Sequence, residues 1–221
     1  MELVDIIDFG GNLEPRCPVI LLVDTSYSMD GDPIKELNTG LAIFKHEVQQ
    51  DARASVRVEV AIITFGGEQA KLLQDFITVE KFIPTPLEAS GRTPMGQAIE
   101  LALDTLESRK SKYKENDREY YRPWLFLITD GEPTDNWENA DQRLKQAQEE
   151  DKLTFFAIGV KGANMDILKQ MTLTNTPVML DGLKFKELFR WLSASVKKVS
   201  TAQVGDQVGL SPIDGWVTVK T

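Results

Sequence analysis

The stretch ILLVDTSYSMDGDP, residues 20–33, passes from four apolar residues into Asp24, Thr25, Ser26, Ser28, Asp30 and Asp32. One side-chain oxygen is enough to cap a helix, so the surplus points to chemistry. Two other corners have the same character. GRTPMG, residues 91–96, sets Thr93 ahead of a helical pattern, and ITDGEPTD, residues 128–135, sets Asp130 at the end of another apolar run. Asp24, Ser26, Ser28, Thr93 and Asp130 together offer two carboxylates and three hydroxyls, with no His or Cys among them. That donor set suits a hard divalent cation. Mg²⁺ prefers an octahedron of oxygens at about 2.0–2.1 Å and keeps some water, and Mn²⁺ accepts the same donors. If neutral hydroxyls dominate the contacts, the ion keeps much of its charge and an open position attracts an external carboxylate or phosphate.

Each corner also has an ordinary explanation. Ser26 and Ser28 suit a turn, Asp130–Gly131 is a turn dipeptide, and Thr93–Pro94 reads as a helix cap with proline at the first position. Only the conjunction argues for a site, and it requires the three corners to meet.

The elements that must bring them together read as α/β. Val19–Asp24, Val56–Phe65, Trp124–Asp130, Leu153–Val160 and Pro177–Leu180 are continuous apolar runs, the pattern of parallel strands covered on both faces. Helical spacing joins Ile34, Leu37, Leu41, Phe44 and Val48, with Asp32 as the expected cap and Pro33 at the first position. The same spacing joins Met95, Ile99, Ala102 and Leu106, then Trp137, Ala140, Leu144 and Ala147, and finally Phe185, Leu188, Leu192, Val196 and Val199. Only GGEQA separates Phe65 from KLLQDFITV, residues 71–79. No crossover helix fits there, so that strand returns antiparallel, at a sheet edge. The expected fold is a doubly wound, mostly parallel sheet with one antiparallel edge strand and helices on both faces. In the strand order 3-2-1-4-5-6, the ligand crevice opens between the first and fourth strands, where Asp24 and Asp130 end their runs.

Residues 1–16 read as a lead-in, 17–200 as the domain and 201–221 as a tail, with WVTV as a short packed strand. Residues 109–122, RKSKYKENDREYYR, read as a solvated loop or helix extension, with Tyr113, Tyr120 and Tyr121 exposed. His46, the sole histidine, lies among polar neighbours on a helix and reads as exposed, and Cys17 reads as packing.

Composition narrows the setting. The chain has 221 residues, a formal charge of −9 and one cysteine. That charge argues against nucleic-acid binding, which relies on cationic contacts to phosphate. A single Cys excludes an internal disulfide framework. No run approaches the roughly 18–20 apolar residues of a membrane span, and MELVDIIDFGGNLEPR lacks the basic start of a signal peptide. A cytoplasmic location is expected.

Asp24-Thr25-Ser26-Tyr27-Ser28 resembles the DxSxS signature of von Willebrand factor A domains. Thr93 and Asp130 resemble the other two parts of that family's metal-ion-dependent adhesion site, over roughly residues 17–200. The resemblance implies that Ser26, Ser28 and Thr93 contact the ion, with Asp24 and Asp130 beside it or bridged by water. It also implies that a partner's acidic group completes the coordination. Within the family, VILLVDTSYSMDGDPIKELN and FLITDGEPTD resemble the bacterial TerY-type proteins of tellurite resistance and stress response. That implies a signalling set with a protein kinase and a PP2C-type phosphatase.

The leading expectation is therefore a metal-dependent interaction scaffold with no catalytic residue. Two alternatives stay open: an adaptor to an AAA+ ATPase, and a Mg²⁺-dependent phosphotransferase with Asp24 as nucleophile. The adaptor must borrow its ATPase, since the chain lacks GxxxxGK[ST]. The phosphotransferase generally wants a second acid two residues on, where this chain has Ser26.

Overall fold

A computed structural model describes Phe9, residues 11–180, Gly182 and residues 184–210. Six strands form one sheet: β1 (Cys17–Asp24), β2 (Val58–Gly66), β3 (Gln69–Thr78), β4 (Trp124–Thr129), β5 (Thr154–Gly159) and β6 (Val178–Met179). Their order is β3-β2-β1-β4-β5-β6, the doubly wound order expected. All neighbours are parallel except β2 and β3, which pair antiparallel at the edge.

The continuous apolar runs follow from burial on both sides. Alternate side chains of a strand face opposite ways, and β1 is buried along its whole length. Val19, Leu21 and Val23 meet α1 (Asp32–Gln49) and α6 (Phe185–Thr201), whereas Ile20 and Leu22 meet α3 (Met95–Glu115) and α4 (Glu138–Glu149). α5 (Met165–Met171) adds Leu168 and Met171 to the second layer. Every apolar helix position read from spacing in α1, α3 and α6 is buried; in α4, Ala140 and Leu144 are buried while Trp137 and Ala147 are partly so. The described residues contain no helix long and apolar enough to cross a membrane.

Several local expectations need correction. Val56 and Arg57 lie in a short helix, α2 (Ala52–Arg57), rather than in the second strand. The Asp51 carboxylate accepts from Arg53 N and Ala54 N and starts that helix. Asp32 does not cap α1; it is the first helical residue, and Gly31 takes the cap position at φ +83°, a conformation open mainly to glycine. Residues 201–210 carry no regular strand, and the WVTV strand expected at 216–219 falls outside the described residues.

The largest correction concerns residues 109–122. α3 continues to Glu115, and Arg109, Lys110, Tyr113 and Tyr121 are buried, not solvated. Tyr120 is only partly covered. The cause is Glu59, an acid one residue into β2 with no exposed surface. Arg109 Nε and Nη2 donate to its two oxygens at 2.9 and 2.7 Å, and Tyr113 Oη donates at 2.5 Å. Arg16 Nε lies 3.2 Å from the same carboxylate. The Arg109 guanidinium also sits 4.8 Å from the Phe9 ring centre and 5.3 Å from that of Tyr113.

His46 is exposed, as read. Cys17 is fully buried, and burial, with the Glu59 charge adding to it, pushes its thiol up to about 12. Thiolate is the reactive form. At pH 8 the native protein is expected to release no chromophore from an aromatic disulfide reagent, and one equivalent once guanidinium unfolds it. Release at a free-thiol rate without denaturant would contradict this packing.

Candidate metal centre

β1 and β4 lie side by side, with Val23 opposite Ile128, so their carboxyl ends deliver Asp24 and Asp130 to one place. Asp24 is fully buried at the floor. Its Oδ1 accepts from Ser26 N at 2.8 Å, and its Oδ2 accepts from Thr129 Oγ1 at 2.5 Å. The chain then turns through a single 3₁₀ turn, Tyr27–Met29, which brings Ser28 back over the strand ends. Ser26 Oγ and Ser28 Oγ are 3.0 Å apart, and Ser28 Oγ donates to Asp130 Oδ1 at 2.7 Å. Asp24, Ser26, Ser28 and Asp130 are thus joined by one connected set of hydrogen bonds.

Thr93 arrives from the irregular segment ahead of α3. A Cβ placed on Gly131 would lie 3.3 Å from Thr93 Oγ1 and 3.7 Å from Asp24 Oδ2, so both oxygens border the same point. The structure therefore brings all five expected residues together. Asp24, Ser26, Thr93 and Asp130 are buried, while Ser28 and the adjoining Tyr27 are exposed. The cluster is closed below and open to solvent beside Ser28.

The electrostatics are those of a pair of acids short of positive charge. Burial lifts Asp24 to about 6, against the lowering effect of its bonds to Thr129 and Ser26, and the Asp130 charge adds to the rise. Burial also raises Asp130, partly offset by the Ser28 hydroxyl. A nearby cation favours the ionised form of both. Thr93 Oγ1 makes no hydrogen bond to a described residue, so its lone pairs are free to ligate. Among the described residues, no group of three or more His, Cys, Asp or Glu is placed to hold a metal. Any cation held at this cluster would therefore rely on hydroxyls, and these residues fit a small, hard ion.

Two contributors escaped the sequence reading. Thr129 reads as one more residue of an apolar strand, yet its hydroxyl joins the two strand ends, donating to Asp24 and accepting from Gly131 N at 3.1 Å. Its position directly before Asp130 was the available signal. Asp135 bonds the first turn of α3 in place of the Thr93 cap expected there; the cap position falls on Pro94, with no side-chain bond. Nothing local in DGEPTD separates Asp135 from an ordinary loop acid. Asp30 and Asp32 are exposed and join no bond in the cluster.

Solved structures share this fold at low identity. The pilus adhesin SpaC of Lactobacillus rhamnosus GG aligns with a TM-score of 0.67 at 14% identity, over 85% of this chain and 31% of the adhesin. Proximal thread matrix protein 1 of the mussel byssus, in a structure with a zinc-occupied MIDAS motif, gives 0.54 at 17% identity, over 90% of this chain and 51% of that one. The SpRpn10 VWA domain gives 0.55 at 12% identity, over 78% of this chain and 93% of that one. The chain thus spans about half the mussel protein and under a third of the adhesin. No curated protein sequence matches it. The family model for the von Willebrand factor type A domain matches residues 19–191, which include all three corners of the cluster, and this chain belongs to that family.

Proposed function

We propose that the domain is a metal-dependent protein-interaction module. Asp24, Ser26, Ser28, Thr93 and Asp130 hold Mg²⁺ or Mn²⁺, directly or through water, and a partner's carboxylate or phosphate completes the coordination. The observation that carries this reading is the meeting of three separate segments at the β1–β4 strand ends, where Thr93 Oγ1 makes no hydrogen bond to a described residue. A bound ion would supply positive charge that neutral hydroxyl contacts leave only partly offset at the open side of the cluster. The protein supplies the fixed oxygens, the dry floor and the exposed rim through which a partner reaches it. The zinc-occupied site of the mussel relative supports the metal, and the adhesin among the structural neighbours supports an interaction role.

A scaffold rather than an enzyme agrees with the state of Asp24. Both its oxygens are hydrogen-bonded and its side chain has no exposed surface, so it is a poor nucleophile for a phosphotransferase. The resemblance of VILLVDTSYSMDGDPIKELN and FLITDGEPTD to TerY-type proteins places the module, in our reading, in the cytoplasm of a bacterium. There it serves a tellurite-resistance or stress circuit, with a kinase and a PP2C-type phosphatase as partners.

Affinity capture from the source cell's lysate tests this. Wild-type bait in Mg²⁺ is expected to retain a partner that is lost in EDTA and lost with Asp130→Ala bait. Partners that persist under all three conditions would show that binding uses another face. A co-purifying AAA+ ATPase in place of a kinase or phosphatase would replace the circuit but keep the mechanism.

A further inference from the structure

We propose that Asp135 is a positioning residue for the metal site. Its carboxylate closes the N-terminus of α3 and so ties the loop that carries Asp130 to the segment that carries Thr93. The inference rests on the reading of the five-residue cluster as a cation site.

The geometry is a clamp between two pieces of chain that are remote in sequence. Asp135 Oδ1 accepts from Gly96 N at 3.0 Å and Oδ2 from Gln97 N at 2.9 Å. One residue earlier, Thr134 N donates to Thr93 O at 3.0 Å, and Thr93 N donates to Thr134 Oγ1 at 3.1 Å. Four hydrogen bonds therefore join residues 134–135 to residues 93–97. The two backbones also touch. A Cβ on Gly96 would lie 2.5 Å from Asn136 O and 2.8 Å from Trp137 Cα, so only glycine lets the loop seat here.

The other capped helices use neighbours. α2 is capped by Asp51 and α5 by Asn164, each the residue just before its helix. α3 has proline at that position, with no side-chain bond, and draws its acceptor from beyond β4. The first free N–H groups of a helix need acceptors in any case. Meeting that need from the loop after Asp130 fixes Thr93 relative to Asp130 at the same time.

Thr93 needs such a fix because it stands in no regular element. On its N-terminal side the segment is pinned by Ser90 N to Thr25 O at 2.6 Å and by Tyr27 N to Gly91 O at 3.1 Å. On its C-terminal side the 134–135 pair is the pin. A ligating oxygen must be held within about 0.5 Å of its working position, and loss of an outer group that orients a ligand typically weakens metal binding by about 10–100-fold.

The test is Mn²⁺ titration of the full chain, followed by calorimetry and by urea unfolding in EDTA. Asp135→Ala is expected to bind at least about 10-fold more weakly than wild type. Its unfolding midpoint should fall no further than that of Asp51→Ala, which removes a cap that also takes two N–H groups, both on Oδ1, in a different helix. Asp51→Ala itself should bind Mn²⁺ like wild type. Asp135→Asn keeps one acceptor and should fall between wild type and Asp135→Ala. Wild-type affinity in Asp135→Ala would overturn the inference. So would Asp135→Asn as weak as Asp135→Ala, which assigns the effect to charge, or Asp51→Ala equally weakened, which assigns it to general loosening. A wild-type chain that binds no Mn²⁺ would overturn the metal site itself, and this role with it.

Discussion

Asp130→Ala is expected to weaken Mg²⁺ binding by at least about 100-fold while leaving the metal-free protein folded and no less stable. A unit negative charge about 5 Å from a divalent cation contributes several kcal/mol at an effective dielectric constant of about 20, and each 1.4 kcal/mol is about tenfold in affinity. Part of that attraction is returned when ion and carboxylate give up water, which is why the expectation stops well short of the Coulomb figure. Asp130 also holds Ser28 through the 2.7 Å bond to its hydroxyl, so its removal releases a second oxygen of the cluster. Stability moves the other way. Asp24 and Asp130 carry like charge at adjacent strand ends, and burial disfavours ionisation of each. Taking one away removes repulsion, and the freed Ser28 is exposed enough to bond water. Calorimetry with Mg²⁺, and urea unfolding in EDTA, check the two halves separately. Undiminished Mg²⁺ affinity would sink the assignment of the site, and a metal-free variant that fails to fold would mean Asp130 holds the strand ends together.

The second large effect lies at the opposite end of β2. Glu59→Ala is expected to cost about 3–5 kcal/mol of folding stability, the range for breaking a buried ion pair by removing one partner. For a chain of this size that is a fall in melting temperature of roughly 6–11 °C. The cost comes from what remains. Arg16 and Arg109 would keep their charges with no exposed or nearly no exposed surface, and Tyr113 would lose its acceptor. Arg16 keeps its bonds to Val56 O and Asn12 O, and Arg109 keeps the faces of Phe9 and Tyr113, so the arginines stay put while the Glu59 charge beside them is gone. Glu59→Gln retains acceptor oxygen and should cost less than Glu59→Ala. Thermal unfolding of the two variants, with metal affinity measured alongside, tests this. A loss under about 1 kcal/mol in Glu59→Ala would mean water replaces the carboxylate. Because the network sits far from the strand ends that carry Asp24 and Asp130, Mg²⁺ affinity at a temperature where the variant is folded should be unchanged.

These two regions divide what the sequence determined from what it left to the fold. The sheet and its order were legible because each cause is local or nearly so. Unbroken apolar runs demand cover on both faces, the short GGEQA link forbids a crossover, and the period of Leu37, Leu41, Phe44 and Val48 states which side of α1 is buried. The meeting of the five candidate residues was legible for a related reason. Strand ends and helix starts are where side chains leave the core, and Asp24, Ser26, Ser28, Thr93 and Asp130 stand at such points with a composition that turns do not need. What the sequence alone could not decide was where charged residues go once a distant partner exists. Arg109 and Tyr113 lie in a run that reads as solvated, and only the arrival of Glu59 from β2 makes their burial affordable. Thr129 reads as one more strand residue until β1 places Asp24 beside its hydroxyl. Asp135 reads as loop until α3 presents two unbonded N–H groups to it. Hydrophobic patterning is written in neighbours along the chain, but a buried charge or a remote cap is decided by its partner, and that partner is supplied only by the tertiary structure.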